Sequence, residues 1–336
     1  MKSSIIFVAV LALASAELID IDWSQVRPIE DFDHYWASLP AGLQKLRNLQ
    51  PDRRVTFGQE AIPGQFPYQA VVLISVQGGT ALCGGSILSR NYILTAAHCV
   101  VGATGGTVIV GAHNFTLYEP TQQRIAFGVS GIQYHSGYNP EIVRNDVATI
   151  RLNSPLTFND RVKAVRLPAS GDYRQFAGVT GTVSGHGRTE GGDISTVLRF
   201  TSNPIMSQQA CLDYWQWPEI IEAQNVCLSG SAGRSACNGD SGGPLTVVDA
   251  GSSLQVGIVS FGNARAAPVT ARTYEDCEQP PEIGHGNARI TVDESEEFVT
   301  AHYSCNAGYR LEGQVDFRCD IDSDEWQIKE MPRCVA

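Results

Sequence analysis

From Val55 onward the chain breaks into short apolar runs. "YQAVVLISV", "GGSILSRNYILTA", "GTVIVGAH", "DVATIRL", "GVTGTVSGHG" and "LQVGIVSFG" are rich in Val, Ile and Thr, and Gly, Asn, Pro and Ser separate them. β-Branched runs of this length, punctuated by turn formers, predict strands. Long helical periodicity is absent from this stretch. The spacing predicts an all-β fold, a barrel or a sandwich.

The pattern differs on either side of this stretch. Residues 1–16 begin with Lys2, continue as an apolar run from Ile5 to Leu13 and end on Ala14-Ser15-Ala16. That order predicts a cleavable secretory leader, and the apolar run is too short to span a bilayer. Residues 17–54 form a mixed polar segment without cysteine that ends on Arg53 and Arg54. It reads as a cleavable pro-segment, with an ordinary N-terminal extension as the alternative; once cut, nothing covalent would hold it. Residues 263–276 read as a linker, and a cysteine-dense unit follows from Cys277 to Cys334. Its cysteines are spaced by 28, 14 and 15 residues, with no C-x-x-C pair, so a zinc site is not expected. A unit this small has little core and needs disulfide staples.

Composition narrows the function classes. Of 336 residues, 43% are hydrophobic and 18% charged, which suits folded cores. The net charge of −11 argues against nucleic acid and anionic membrane surfaces as partners. Nine cysteines behind a secretory leader point to disulfides, and the odd number leaves at least one without a partner in the chain. "NFT" at Asn114 is a glycosylation acceptor pattern that suits an extracellular surface. No cofactor or metal is called for.

"NGDSGGP" places Ser241 between an aspartate and two glycines. A serine hydroxyl is a poor nucleophile near neutral pH. It needs a base within hydrogen-bond reach, and the base needs a carboxylate to fix its tautomer and stabilise its cation. His98 in "LTAAHC" and Asp146 in "NDVATIRL" supply those types, in the chain order His, Asp, Ser. The strained elbow of α/β-hydrolases also satisfies G-x-S-x-G, but it needs the histidine after the serine and a helix where "PLTVV" favours a strand. The backbone N–H groups of Gly239 and Ser241 are candidates for an oxyanion hole. His34, His113, His135 and His186 have no comparable setting and read as structural or exposed.

"CGGSIL" at Cys83, "LTAAHC" ending at Cys99, "NDVATI" around Asp146, "CNGDSGGPL" around Ser241 and "GIVSFG" closing at Gly262 together resemble the chymotrypsin-like (trypsin-fold) serine endopeptidases. The resemblance covers Val55 to about Gly262. It implies two six-stranded β-barrels with His98, Asp146 and Ser241 in the cleft between them, and peptide hydrolysis through an acyl-enzyme. The general chemistry of such triads is best known from this family, so these roles are implied by likeness. It also implies a zymogen: a cut after Arg54 frees the amine of Val55, which enters the fold and pairs with Asp240. The implied disulfides are Cys83–Cys99 and Cys211–Cys227. Ser235 falls where the base of the primary pocket would be, and Ser260, Phe261 and Gly262 where the substrate pairs as an added strand. A neutral Ser235 implies apolar or aromatic residues before the scissile bond. Activation at Arg54 then needs a separate trypsin-like protease as partner, besides the protein or peptide substrates.

The family pattern breaks after Gly262. The cysteine expected there is absent, which leaves Cys237 as the odd thiol, and only 14 residues precede Cys277. Part of the pocket wall and a closing strand are expected to be missing, although "RAAPVTAR" is weakly like the family's "P-x-V-x-x-R" stretch. "CEQPPEIGHGNA", "YSCNAGYRLEG", Trp326 and "PRC" at Cys334 resemble a complement control (sushi) module over 277–334. That likeness implies Cys277–Cys319 and Cys305–Cys334, and a spacer or a module with a protein ligand. Two other readings stay open: an inactive protease-like binding protein acting through its sushi module, and a chimeric product of two genes joined near Ala266.

Overall fold

A computed structural model describes residues 19–44, 47, 58–172, 174–189, 192–215, 220–230, 236, 238–262, 269–271, 283–292, 298–320, 325–326 and 331–335. Two curled sheets make up the main body. In the first, the order is Gln123–Gly128, Gly105–Val110, Gln69–Val76, Gly79–Ile87, Tyr92–Thr95, Ala148–Arg151 and Ile132–Tyr134. In the second it is Asn225–Cys227, Val269–Ala271, Ser252–Phe261, Pro244–Asp249, Thr180–Gly185, Arg199–Pro204 and Gln59–Glu60. Each sheet thus has seven strands from the region after Val55, where the resemblance implied six. Very short strands account for the excess, such as Gln59–Glu60 pairing with Phe200 and Arg199.

The run "AVVLI" shows why the inner strand Gln69–Val76 has no polar face over these residues. Ala70, Val72 and Ile74 point into the larger core with Ile87, Ile93, Val108 and Ile150. Val71 and Leu73 point the other way, into a cluster with Val26, Leu82, Ile109 and Phe115. A strand buried on both faces reads as a continuous apolar run, whereas a strand with one wet face alternates. Antiparallel pairing with Gly79–Ile87 runs from Gln69↔Ser86 to Val76↔Gly79 around a tight turn. The second sheet has its own core of Val183, Ile205, Val226, Leu228, Leu245, Val247, Leu254, Val256 and Val259.

Two features depart from the sequence expectations. The stretch 263–276 is not linker throughout: Val269–Ala271 is a strand paired on both sides, with Asn225–Cys227 and with Ser252–Phe261. Its β-branched "VT" suits that place. The second sheet therefore continues past Gly262, with Asn225–Cys227 as its outer strand.

The other departure is the segment before Val55. Val26–Pro28 forms an eighth strand of the first sheet, lying parallel to Thr80–Leu82. A one-turn 3-10 helix, Ile29–Asp31, and helices Asp33–Ser38 and Ala41–Gln44 follow. Ile29, Phe32, Tyr35, Trp36, Leu39 and Leu43 are all buried in the larger core. Helices of six and four residues are too short to be stable alone in water, so packing against the body holds them.

In the C-terminal unit, Gly286–Val292, Phe298–Cys305, Asp316–Asp320 and Glu325–Trp326 form one antiparallel sheet, and Arg310–Glu312 pairs with Arg333–Val335. Its core is Ala301, Tyr303 and Phe317, with Ile283, Leu311 and Met331 packed on it. Cys305 is bridged to Cys334. Among the described residues no helix is long and apolar enough to cross a membrane.

Candidate active site

His98 lies on the one-turn helix Ala97–Val100, which follows strand Tyr92–Thr95. The next residue, Cys99, is bridged to Cys83 on the neighbouring strand Gly79–Ile87, which fixes this turn against the sheet. Asp146 stands just before strand Ala148–Arg151, whose first residue pairs with Thr95. His98 and Asp146 therefore sit at the same ends of two adjacent strands. The Asp146 carboxylate is fully buried and takes three donors: His98 N at 2.8 Å, His98 Nδ1 at 2.6 Å and Ser260 Oγ at 2.5 Å.

Burial disfavours both charges, yet each holds the other. Burial alone would raise the Asp146 pKa, but the His98 imidazole and the hydrogen bonds from His98 and Ser260 hold it below the usual carboxylate range. Burial would likewise depress His98; the Asp146 charge, its hydrogen bond and the Glu30 charge instead hold it above its ordinary value. Nδ1 is thus committed to Asp146, which leaves Nε2 as the nitrogen for proton exchange.

Ser241 occupies the turn that leads into strand Pro244–Asp249. That turn depends on glycine. Gly239 has φ +95 and Gly242 has φ +80, in the left-handed region, and a Cβ on Gly242 would lie 2.2 Å from Thr95 Oγ1. The Ser241 carbonyl accepts from Gly84 N at 2.7 Å, which ties the serine loop of the second sheet to the cysteine strand of the first. His98, Asp146 and Ser241 are brought to one buried place from three distant parts of the chain.

The partner of the serine comes from the N-terminal segment. Ser241 Oγ donates to Glu30 Oε1 at 2.6 Å, and Gly239 N donates to Glu30 Oε2 at 3.0 Å. Glu30 is only 8% exposed, and burial pushes its carboxyl above the usual range despite the Ser241 and Gly239 donors and the His98 charge. The Trp36 indole N–H donates to the Glu30 carbonyl at 2.6 Å, and the Tyr35 ring meets His98 edge-on at 5.3 Å. Asp31 forms an ion pair with Arg188. Sequence motifs single out none of these residues. The signal that does mark them is the spacing of Ile29, Phe32, Trp36, Leu39 and Leu43, steps of three and four that trace one apolar helical stripe.

The remaining expected sites fall as follows. Asp240 is buried and accepts from Gly187 N at 2.8 Å. It also lines a cavity of about 10 Å³ with Gly185, Arg199, Thr201 and Ala236. Ser260 has its hydroxyl on Asp146, while Phe261 is buried edge-on to Trp215 at 5.3 Å and Gly262 lies half-buried just past the strand. Cys211 is bridged to Cys227. Asn114 is half-buried, its Oδ1 accepting from Thr116 N at 3.1 Å and Thr116 Oγ1 at 2.7 Å. The leader 1–16, Arg54, Val55, Ser235, Cys237 and Cys277 lie outside the described residues, and with Cys277 the Cys277–Cys319 pair. The side-chain atoms of Cys83, His98 and Cys99 lie within 4.8 Å of one another, but the two sulfurs are bonded together and offer no thiolate to a cation.

Known proteins resemble this chain over the same region. The chain is 39% identical to "Chymotrypsin" of Phaedon cochleariae over 64% of its length and 76% of that protein's. It is 38% identical to "Brachyurin" of Leptuca pugilator, covering 62% of this chain and 86% of that one. A solved structure described as HL collagenase superposes with a TM-score of 0.58 at 33% identity, over 65% of this chain and 93% of that chain. The trypsin family profile matches residues 55–276, and the sushi repeat (SCR repeat) profile matches 277–334. A buried His98–Asp146 pair, a serine on a glycine-built turn and these matches lead to one conclusion: the chain belongs to the trypsin family of serine endopeptidases and carries a sushi repeat after the protease domain.

Proposed function

We propose that the protein is a secreted serine endopeptidase zymogen. His98 acts as general base, Asp146 orients it and stabilises its cation, and Ser241 is the nucleophile. The observation that carries this reading is the fully buried Asp146 carboxylate held by His98 Nδ1, His98 N and Ser260 Oγ beside the Ser241 turn. In the working enzyme the Ser241 proton passes to His98 Nε2 as Oγ attacks the peptide carbonyl. The N–H groups of Gly239 and Ser241 take the developing oxyanion. His98 then returns the proton to the leaving amine, and water, activated by the same imidazole, hydrolyses the acyl-enzyme. No cofactor enters these steps.

Activation follows from a cut between Arg54 and Val55. The new amine would enter the small cavity beside Asp240, whose volume of about 10 Å³ suits one water-sized group such as an ammonium. A buried carboxylate gains most from such a partner, so after the cut the new amine would hold the Ser241 loop that Glu30 holds through Gly239 N in the uncut chain. Chymotrypsin-like cleavage after apolar or aromatic residues is supported by the neutral Ser235 and by the likeness to "Chymotrypsin". On this reading the enzyme does not cut its own Arg54, and a trypsin-like protease does. The leader 1–16 directs secretion, and the sushi repeat serves as a spacer or binds a protein.

The test is activation itself. Trypsin-treated wild-type chain should react at Ser241 with a serine-directed phosphonate and hydrolyse peptide substrates with Phe, Tyr or Leu before the cut. Arg54→Gln should leave both signals at the level of untreated protein. Full activity of that variant would refute the activation switch, and no label on treated wild type would refute the enzyme.

A further inference from the structure

We propose that the catalytic groove is a binding site for the chain's own N-terminal segment after it is severed, so that the released acidic, aromatic peptide acts in trans as a reversible competitive inhibitor with the Glu30 carboxylate in the oxyanion position. This rests on the reading of Arg54 as the cleavage site. The segment has no cysteine, so every contact that holds it to the body is non-covalent and survives the cut of the chain.

Three sets of contacts define the occupant. The first is at the chemistry. The carboxylate of Glu30 receives the Ser241 hydroxyl on one oxygen and Gly239 N on the other, at 2.6 Å and 3.0 Å. One Glu30 oxygen is held by the glycine-loop N–H and the other takes the Ser241 proton beside a histidine, so the carboxyl group fills the place where the oxygens of the tetrahedral intermediate would sit. What faces Ser241 is a side-chain carboxylate and not a peptide carbonyl, so the segment presents no bond to cut. The second set is apolar: Ile29, Phe32, Tyr35, Trp36, Leu39 and Leu43 are buried with the body, and the Tyr35 ring meets His98 edge-on. The third fixes direction: Val26–Pro28 pairs along Thr80–Leu82, and Asp31 pairs with Arg188. Trp36, by bonding the Glu30 carbonyl, joins the apolar anchor to the carboxylate.

The experiment uses the full chain, cut by trypsin and then freed of trypsin on immobilised inhibitor. Its specific activity on a peptide substrate should rise on dilution as the segment leaves. Synthetic peptide 19–44 added to the diluted enzyme should restore inhibition by raising KM without lowering kcat. The same peptide with Glu30→Gln should bind about tenfold more weakly, because the amide offers one acceptor oxygen where the carboxyl group accepts from both Ser241 and Gly239. Mass spectrometry should find peptide 19–44 intact across residues 29–31. Isothermal calorimetry on the cut chain reads the binding without turnover. If the cut chain is inert to substrate, the endopeptidase reading fails, while calorimetry still decides this one. Equal affinity of the two peptides, no binding at saturating peptide, or cleavage beside Glu30 would each overturn the proposal.

Discussion

At the candidate catalytic centre, protons and docking are linked through Glu30. Burial holds its carboxyl above the ordinary 4.5, so the docked state binds more protons than the free segment does in the window above that value. The docked contribution is complete below the ordinary pKa and is lost as pH rises through the raised one. The segment should therefore loosen from the uncut chain as pH rises. Hydrogen–deuterium exchange of residues 26–39, corrected for intrinsic rates, should quicken with pH in wild type, with a flatter profile in Glu30→Gln; a profile independent of pH in wild type would contradict the linkage. Much of this site is legible in the sequence, because His98, Asp146 and Ser241 each sit in a short motif with its own chemical logic. Glu30 is not. Its bond to Ser241 spans 211 residues, and nothing in "RPIEDF" marks that glutamate apart from its neighbours.

Among the elements, strands of the body are legible wherever Val, Ile and Thr cluster, since a two-sided core demands such runs, as Ala70 to Ile74 show. The strand Val269–Ala271 reads as linker because three residues are too few for an alternation, and only its pairing with two neighbours defines it. The helices Asp33–Ser38 and Ala41–Gln44 escape notice for the opposite reason. Their apolar stripe is present, but it lies among enough charges to read as a polar segment. Trp36 is their keystone: its ring is buried in the core and its N–H holds the Glu30 carbonyl. Trp36→Ala should weaken docking of the segment by roughly 3–5 kcal/mol, the usual range for removing a large buried aromatic. The uncut variant should then be cleaved by added protease within residues 26–44 far faster than wild type. The body, which keeps its own two cores, should melt cooperatively in both proteins; equal cleavage rates would show that the segment is held without Trp36.

At the scale of the whole chain, two units answer to different physics. The protease domain has extended cores in both sheets, whereas the sushi unit centres on Ala301, Tyr303 and Phe317. Stability in so small a unit leans on its bridges, and loss of one typically costs about 2–5 kcal/mol. Replacing both Cys305 and Cys334 by serine should unfold that unit at body temperature, seen as loss of its exchange protection over 298–305. Hydrolysis of a short peptide by the activated protease domain should not change. A parallel fall in turnover would mean that the two units do not act separately. Family and order of domains are legible from motifs alone. The placement of the N-terminal segment across the groove is not, because it comes from long-range packing of side chains that have no local signature.

The parallel strand Val26–Pro28 has one more effect. It covers one margin of Thr80–Leu82, whose other margin is already taken by Leu73–Ser75. On the activation route proposed above, departure of the segment would leave that margin with bare amide and carbonyl groups, an invitation to foreign strands. The uncut chain would then also be the shelf-stable form of the molecule. Crowded stocks of the matured form would be the ones to clump, and they would keep best dilute.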